Sequence, residues 1–377
     1  MTSAEFRNKI ARPVRDSVLK CLRFALGLLP LKCMSLLLEA ALQAMHAKGP
    51  NWITQHRRPK RQDAPYYVHQ DAVVAGRTPK SAIVVQGPIL EDDDFTIDSL
   101  AYYRRANPNV VVVLSTWNDV PAELLKRCKA AGAVVVVSPK PTIAGALNVN
   151  FQSLSSLAGL QKAKELGCEY ALKVRSDIRI HAPNAAGFFY DLVQTFPLRN
   201  SPQQRARIVS TTYLTSKYCP YHLSDQILYG QIDDMLRYWE PPLNRYSGPK
   251  PEVTGLIKDS VAEQVPEIYL CRSYCESLGR PTSMSLRAWW EALADCFLVI
   301  DRDLIDAYWP KYGPHVEHPA ITLEMHPAWT GLYFRDWLRL YRELTPKSDV
   351  PERLLEMPVR LAAATPGQPA LAAVEHG

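Results

Sequence analysis

The sequence predicts an α/β fold in which helices flank a mostly parallel central sheet, preceded by an N-terminal helical extension. Short β-branched runs alternate four times with segments of helical spacing, and this alternation is typical of parallel sheets. Apolar residues make up 47% of the 377-residue chain and charged residues 22%, the composition of a globular protein with a sizeable core.

The first strand, helix and second strand are predicted within residues 81–115. Residues 81–89 (SAIVVQGPI) form a short apolar run that ends in Gly-Pro, as a buried parallel strand followed by a loop would. Residues 96–106 have helical spacing, and residues 107–109 (Asn-Pro-Asn) predict a turn. Residues 110–115 (VVVVLS) are then the second buried strand.

Two more helix and strand pairs follow. Residues 121–131 begin with Pro and stop before Gly, which are good start and stop signals for a helix. Residues 133–138 are the third strand, residues 148–166 a long helix and residues 170–174 the fourth strand. Right-handed crossovers then place helices on both faces of a parallel sheet, and ligands are expected beyond the carboxyl ends of its strands.

The second half of the chain is less regular. Residues 208–214 predict a strand, and residues 223–239 predict a loop that enters an amphipathic helix. Residues 261–279 predict a helix, and residues 285–301 a helix that passes into a strand. Apolar periodicity is lost towards the end, so residues 346–377 are predicted to be a disordered tail.

The N-terminal segment is rich in leucine and preceded by basic residues. Residues 16–45 read DSVLKCLRFALGLLPLKCMSLLLEAALQAM, in which Pro30 and Lys32 interrupt the apolar run. A spanning helix needs about 20 uninterrupted apolar residues, so this segment does not fit one. Two interpretations stay open: a basic, apolar helical pair on the inner face of a membrane, or a hairpin packed on the domain.

Composition and spacing exclude several classes of protein. A formal net charge of +6 over this length does not indicate nucleic-acid binding, and no such signature is visible. No Gly-x-Gly-x-x-Gly or Gly-Lys-Ser/Thr follows the first strand, which excludes the usual dinucleotide and P-loop sites. The eight cysteines form no Cys-x-x-Cys pair, so buried reduced thiols are expected.

Three charged residues follow the fourth strand. Arg175, Asp177 and Arg179 alternate, so on an extended chain they share one face. Asp177 can bind a divalent cation that bridges a diphosphate, and the guanidiniums suit a pyrophosphate bound through a metal or directly. The alternative is an internal Arg–Asp–Arg salt bridge at the rim of the sheet.

Other candidates lie at the strand exits and in the second half. Trp117 is a candidate to stack on a base or a sugar, with packing at the sheet edge as the alternative, and Lys140 and Asn148 are candidates to reach phosphate or ribose. Asp225 is a candidate either for catalysis or for a helix N-cap. Glu267 is a candidate general base, with an exposed helix glutamate as the alternative.

Four segments in order resemble the WavE-type lipopolysaccharide synthesis family over residues 81–341. They are VVQGPI (84–89), VVLSTW (112–117), LKVRSDIRI (172–180) and LSDQILYG (223–230). The resemblance implies a GT-A-like, that is Rossmann-like, nucleotide-diphospho-sugar transferase fold and a role in bacterial lipopolysaccharide core or capsule assembly.

The resemblance also implies roles for individual residues. Those expected to bind the nucleotide sugar are Gln86, Gly87, Pro88, Ser115, Thr116, Trp117, Arg175 and Arg179. This chain departs from the Asp-x-Asp metal motif of such enzymes, because Arg175 stands where the first Asp would be. Asp177 is left as the ligand for Mg2+ or Mn2+, and a metal-independent reaction stays open. Asp225 and Glu267 are the candidates for catalysis on the acceptor side.

These expectations combine into a glycosyltransferase that uses a nucleotide-sugar donor and a glycolipid or oligosaccharide acceptor, with no nucleic-acid partner. It is expected in the cytoplasm, at or near the inner face of the cytoplasmic membrane. The predicted segments are an N-terminal helical part (1–50), a connector (51–80), the transferase domain (81–345) and the tail (346–377). The rival hypothesis is a non-catalytic scaffold that kept a degenerate nucleotide-sugar fold.

Overall fold

The computed structural model describes residues 21–22, 24–48, 79–107, 109–199, 201–248, 256–259, 264–310 and 330–357. The chain divides into two compact units, Met1–Pro59 and Lys60–Gly377. The predicted connector lies outside the described residues except for Pro79 and Lys80.

The first unit is helical where it is described. Residues 24–27 are helical, and helix α1 runs over Leu31–Lys48. The break at Pro30 follows from the missing N–H and the ring clash that proline brings to a helix interior. Among the described residues, no helix is both long enough and apolar enough to cross a membrane.

The second unit is built on a central sheet. In the described part of the chain this sheet has seven strands, in the spatial order β3-β2-β1-β4-β7-β6-β8. These are β1 (Ser81–Gln86), β2 (Val110–Trp117), β3 (Val134–Ser138), β4 (Tyr170–Arg175), β6 (Ile208–Thr211), β7 (Ile227–Gln231) and β8 (Phe297–Ile300). Two short strands, β5 (Arg179–Ile180) and β9 (Ala307–Tyr308), pair separately.

The sheet is mostly parallel, and the predicted fold class is confirmed. Strands β3, β2, β1 and β4 are mutually parallel, and β6 is parallel to β8. Strand β7 runs antiparallel to both of its neighbours, β4 and β6. Gln86 pairs with both Ser115 and Arg175, so the carboxyl ends of the central strands meet at one edge.

Helices cover the sheet. They are α2 (Phe95–Ala106), α3 (Ala122–Ala130), α4 (Val149–Glu165), α5 (Ala185–Thr195), α6 (Ile232–Tyr238), α7 (Pro266–Ser277), α8 (Leu286–Cys296) and α9 (Phe334–Glu343). Every residue of β1 is buried, as expected for a strand covered on both faces. Gly159 lets α4 approach closely, since a Cβ there would meet Val84 Cγ1 at 2.5 Å.

The structure corrects two sequence predictions. Within residues 223–239 the chain forms strand β7 before helix α6, where only a loop and a helix were expected. The predicted tail begins at residue 346, yet Glu352–Glu356 form a 3-10 helix and Leu355 is buried. Both carboxylate oxygens of Glu352 accept hydrogen bonds from the first backbone N–H groups of α8, so burial and helix capping hold this segment. Residues 358–377 lie outside the described residues.

Candidate functional site

A cleft of about 510 Å3 lies at the carboxyl edge of the central strands. This volume is within the range of about 300–1,000 Å3 that is usual for small-molecule sites. Its walls come from the ends of β1, β2 and β4, the segment after β3 and the start of α4. The lining residues are Gln86, Gly87, Pro88, Ile89, Leu90, Trp117, Lys140, Leu147, Asn148, Phe151, Gln152, Arg175, Ser176 and Asp177.

The loop after β1 is fixed to the exit of β4. The Gly87 N–H donates to Ser115 O (3.1 Å), and the Ser176 N–H donates to Gln86 O (2.8 Å). Ser176 Oγ donates to Pro88 O. Gly87 has φ +126°, and a Cβ there would lie 2.8 Å from Ser176 Oγ. Glycine is therefore required both by its backbone conformation and by the close approach of Ser176.

Arg175 and Asp177 form a two-pronged ion pair at one wall of the cleft. Arg175 Nε donates to Asp177 Oδ1 (2.9 Å), and Nη2 donates to Oδ2 (2.8 Å). Trp309 Nε1 donates to the same Oδ2 at 3.0 Å. Burial alone would lower the pKa of Arg175, but the hydrogen bond and charge of Asp177 raise it. The guanidinium therefore stays charged beside the cleft.

Arg179 is not brought to the cleft. Residues 176–177 form a turn, and Ile178 N–H donates to Arg175 O (3.0 Å), so the chain is not extended between the two arginines. Arg179 begins β5 and is 4% exposed. Its Nε donates to Ser99 Oγ (2.8 Å) and its Nη2 to Phe95 O (2.9 Å). These contacts give it a structural position against α2.

The predicted wall at the end of β2 is divided. Trp117 lines the cleft and packs edge-on against Phe151, with ring centroids 5.3 Å apart. Ser115 and Thr116 are fully buried and do not line the cleft. Among the described residues their hydroxyl oxygens have no hydrogen-bond partner. Ser115 acts on the cleft through its carbonyl oxygen, which holds Gly87.

The opposite wall combines a cation with the start of α4. Lys140 lines the cleft and pairs with the exposed Asp119. Leu147 and Asn148 both have positive φ (47° and 67°), and such backbone strain concentrates at ligand sites. Gln152 Oε1 is buried without a hydrogen-bond partner among the described residues. The sequence analysis did not identify Phe151 and Gln152. Both lie about one helical turn after Asn148, a candidate residue, and this spacing could have indicated them.

A buried charged cluster lies next to the exit of β4. Because β7 is antiparallel, its start pairs with the end of β4, and Asp225 precedes that start by two residues. Lys173, in β4, is fully buried and its Nζ donates to Asp225 O (2.7 Å). The same Nζ lies 4.3 Å from the centroid of the Trp239 ring. Burial lowers the pKa of Lys173 to about 7, against the opposing charge of Asp225.

Asp225 and Glu267 both belong to this cluster rather than to the cleft lining. Asp225 is 2% exposed, and its Oδ2 has no hydrogen-bond partner among the described residues. Glu267 lies in the first turn of α7. Burial and the charge of Asp225 raise the pKa of Glu267 to about 8, while the charge of Arg175 acts in the opposite direction. Arg175 therefore links the cleft electrostatically with these two acids.

The residues present do not fit a divalent cation at Asp177. Both of its carboxylate oxygens already accept hydrogen bonds from Arg175 and Trp309. In the described part of the chain, no group of three or more His, Cys, Asp or Glu side chains could hold a metal ion. Mg2+ and Mn2+ need several oxygen ligands, and Asp177 is the one carboxylate among the described residues that line the cleft.

A model of the family described as "WavE lipopolysaccharide synthesis" matches residues 81–283, which is more than half of the 377-residue chain. The matched range contains all four segments on which the sequence resemblance rests, and it ends before residue 341, to which the resemblance was expected to extend. The comparison with curated protein sequences found no match.

Solved structures of low identity are also similar. Glucosyl-3-phosphoglycerate synthase from Mycobacterium tuberculosis, in complex with Mn2+, UDP and phosphoglyceric acid, is 12% identical with a TM-score of 0.33, covering 66% of this chain and 75% of that one. A cytidylyltransferase from Leptospira borgpetersenii is 12% identical with a TM-score of 0.28, and the match covers 43% of this chain and 64% of that one. At these TM-scores the similarity supports no conclusion about function.

Proposed function

Because the chain belongs to the WavE lipopolysaccharide synthesis family, we propose that it is a nucleotide-sugar-dependent glycosyltransferase. Its acceptor is a glycolipid or polysaccharide of bacterial lipopolysaccharide core or capsule biosynthesis. The observation that carries the proposal is the cleft, in which a glycine loop, aromatic rings and a fixed guanidinium converge beyond the carboxyl ends of parallel strands.

The donor would lie across this cleft. Gly87 allows the backbone of its loop to approach a ligand closely, and Phe151 offers aromatic surface to a base or a sugar, with the buried Trp117 packed against it. Arg175 and Lys140 are the cations that would meet the diphosphate. Negative charge grows on the diphosphate as the bond to the sugar breaks, and a cation already in place stabilises that transition state.

In an inverting reaction, a carboxylate on the acceptor side would remove the proton of the attacking hydroxyl. That proton goes to the carboxylate, the acceptor oxygen bonds to the anomeric carbon, and the nucleoside diphosphate leaves. Burial and the charge of Asp225 raise the pKa of Glu267, which makes Glu267 the weaker candidate for the base at neutral pH. Asp225, whose Oδ2 has no hydrogen-bond partner among the described residues, is then the base that we propose.

The first unit would bring the enzyme to its lipid acceptor at the inner face of the cytoplasmic membrane. Apolar side chains of this segment are exposed, and the sequence before them is basic. Such a helix lies in the lipid interface when its apolar residues are buried there. The exposed residues are Leu22, Phe24, Leu26, Leu28, Leu29, Leu36, Leu37 and Leu38.

Sugar transfer by matched variants tests the proposal. We expect Asp177→Ala to keep the fold and to abolish transfer, because the Arg175 guanidinium loses the carboxylate that orients it. Asp295→Ala is the control: it removes the carboxylate of another half-buried Arg–Asp pair, with Arg280, outside the cleft. Normal transfer by Asp177→Ala contradicts the assignment.

One observation favours a second candidate, a non-catalytic scaffold. Arg175 stands where the related enzymes are expected to carry the first metal-binding acid, and the described residues offer no other metal-binding cluster. A scaffold that lost the reaction would also have lost the ability to bind a nucleotide-sugar donor. Isothermal titration with UDP, GDP and CMP separates the two, since binding of none of them favours the scaffold.

A further inference from the structure

The exit of β4 carries a permanent cation at the place where a divalent metal was expected. The Arg175 side chain is 24% exposed, lines the cleft and is held by Asp177. We propose, on the basis of the proposed function, that the cleft binds a nucleoside diphosphate directly on the Arg175 guanidinium without a divalent cation. Asp177 and Trp309 are positioning residues that hold this guanidinium.

The geometry of Arg175 leaves donors for a ligand. A guanidinium has five N–H groups, and within the described residues Arg175 uses Nε and Nη2 for Asp177. The remaining N–H groups belong to a side chain that lines the cleft and is partly open to solvent. A planar guanidinium matches two phosphate oxygens at once, so this cation suits a diphosphate better than a lysine would.

The carboxylate of Asp177 is used to orient, and it is not left open for a metal. A cation at Asp177 would have to displace two charge-assisted hydrogen bonds from Arg175 and one hydrogen bond from Trp309. It would then lie beside the guanidinium it had displaced, which repels it. Trp309 adds a second restraint, because its ring centroid lies 5.5 Å from Arg175 Cζ.

The ion pair of Arg175 and Asp177 differs from another half-buried ion pair of this protein in its position at the cleft. Arg280 and Asp295 form a pair of similar burial (19% and 14% exposed, against 24% and 23% for Arg175 and Asp177). Neither Arg280 nor Asp295 lines the cleft. Comparing the two pairs separates loss of a buried ion pair from loss of a ligand contact.

The first experiment uses the unmodified full-length chain. UDP and GDP are titrated calorimetrically in excess EDTA and again in buffer with Mn2+. We expect at least one of them to bind with a Kd that differs by no more than about twofold between the buffers. Binding that requires Mn2+, or that Mn2+ tightens by about tenfold or more (~1.4 kcal/mol), overturns the inference while the proposed function stands. No binding of UDP or GDP in either buffer overturns the inference, and the proposed function fails as well only if CMP does not bind either.

The second experiment uses variants and the nucleotide that binds in EDTA. We expect Arg175→Gln to weaken that binding by about tenfold or more, as expected for loss of a charged ligand contact. Arg280→Gln should lower the melting temperature by about as much as Arg175→Gln does, and it should leave the Kd for the nucleotide unchanged. Retained affinity in a folded Arg175→Gln protein overturns the inference.

The role of Trp309 is tested by a substitution that keeps the ring. Trp309→Phe removes the N–H donated to Asp177 Oδ2 and leaves an aromatic side chain. We expect this variant to bind the diphosphate several-fold more weakly and the corresponding nucleoside, which has no phosphate, as well as the wild type does. Equal weakening for both ligands would mean general damage to the cleft and would contradict the positioning role.

Discussion

Gly87→Ala is the perturbation that connects the backbone of the cleft most closely with binding. Gly87 has φ +126°, a conformation that side chains with a Cβ rarely adopt. The added Cβ would lie 2.8 Å from Ser176 Oγ, 0.6 Å closer than the 3.4 Å at which ordinary contacts begin. Rotation of the Ser176 side chain away from the new Cβ has a cost, because its Oγ donates a hydrogen bond to Pro88 O.

The expected cost has two parts. Backbone strain of this kind costs about 1–3 kcal/mol, and overpacking costs about as much again, so we expect destabilisation of about 2–6 kcal/mol. The matched control is Gly279→Ala. Gly279 also has positive φ (+71°), but its added Cβ would meet nothing closer than Gln203 Nε2 at 3.7 Å. This control should cost only the backbone strain, about 1–2 kcal/mol.

Denaturant unfolding gives the stability of both variants, and calorimetric titration with UDP and GDP gives their binding. Relief of the clash moves the loop or Ser176, and both line the cleft. We therefore expect Gly87→Ala to bind the nucleotide about tenfold more weakly, or worse, and Gly279→Ala to bind like the wild type. The reasoning is refuted if the two variants are equally stable, or if Gly87→Ala binds normally.

Three further predictions concern the buried charges and the first unit. Burial and the charge of Asp225 raise the pKa of Glu267 from 4.5 to about 8, so the wild type loses stability as pH rises through this range. In denaturant unfolding, Glu267→Gln should therefore gain stability relative to the wild type from pH 5 to 8. A difference in unfolding free energy that does not change with pH would contradict this. Burial lowers the pKa of Lys173 from 10.5 to about 7, so the stability of the wild type falls as pH falls between these values. Lys173→Met should therefore gain stability relative to the wild type from pH 10 to 7. No such gain would argue against a buried, uncharged amine. In co-sedimentation, the full chain should bind phosphatidylglycerol vesicles but not phosphatidylcholine vesicles, and replacing the exposed Leu36 and Leu37 by Ser should weaken binding; equal recovery with both lipids speaks against the proposed membrane contact.

The fold could be predicted where the strands are continuous β-branched runs. Strands β1 to β4 and the helices between them lie within a few residues of the predicted positions. Strand β7 was missed because its sequence, ILYGQ, is short, contains Gly230 and runs directly into α6. The sequence does not reveal that an added Cβ at this glycine would lie only 3.3 Å from the Met235 side chain.

The site could be predicted only where its members are close in sequence. Arg175 and Asp177 were found because they follow a recognisable strand, but the turn after β4 that removes Arg179 from their face leaves no clear signal. Trp309 contacts Asp177 across 132 positions of the chain, and no spacing rule predicts such a contact. Lys173 did leave a signal, since a lysine inside an apolar core strand must be paired or functional.

The most direct test of the central claim is sugar transfer by the full-length chain. A panel of UDP-, GDP- and CMP-sugars is incubated with lipopolysaccharide of truncated core, and both the released nucleotide and the sugar gained by the lipid fraction are measured. We expect one donor class to release nucleotide in equal amount to the sugar transferred, and this release to be lost in Asp177→Ala. A chain that neither binds nor consumes any donor in the panel contradicts the assignment as a glycosyltransferase.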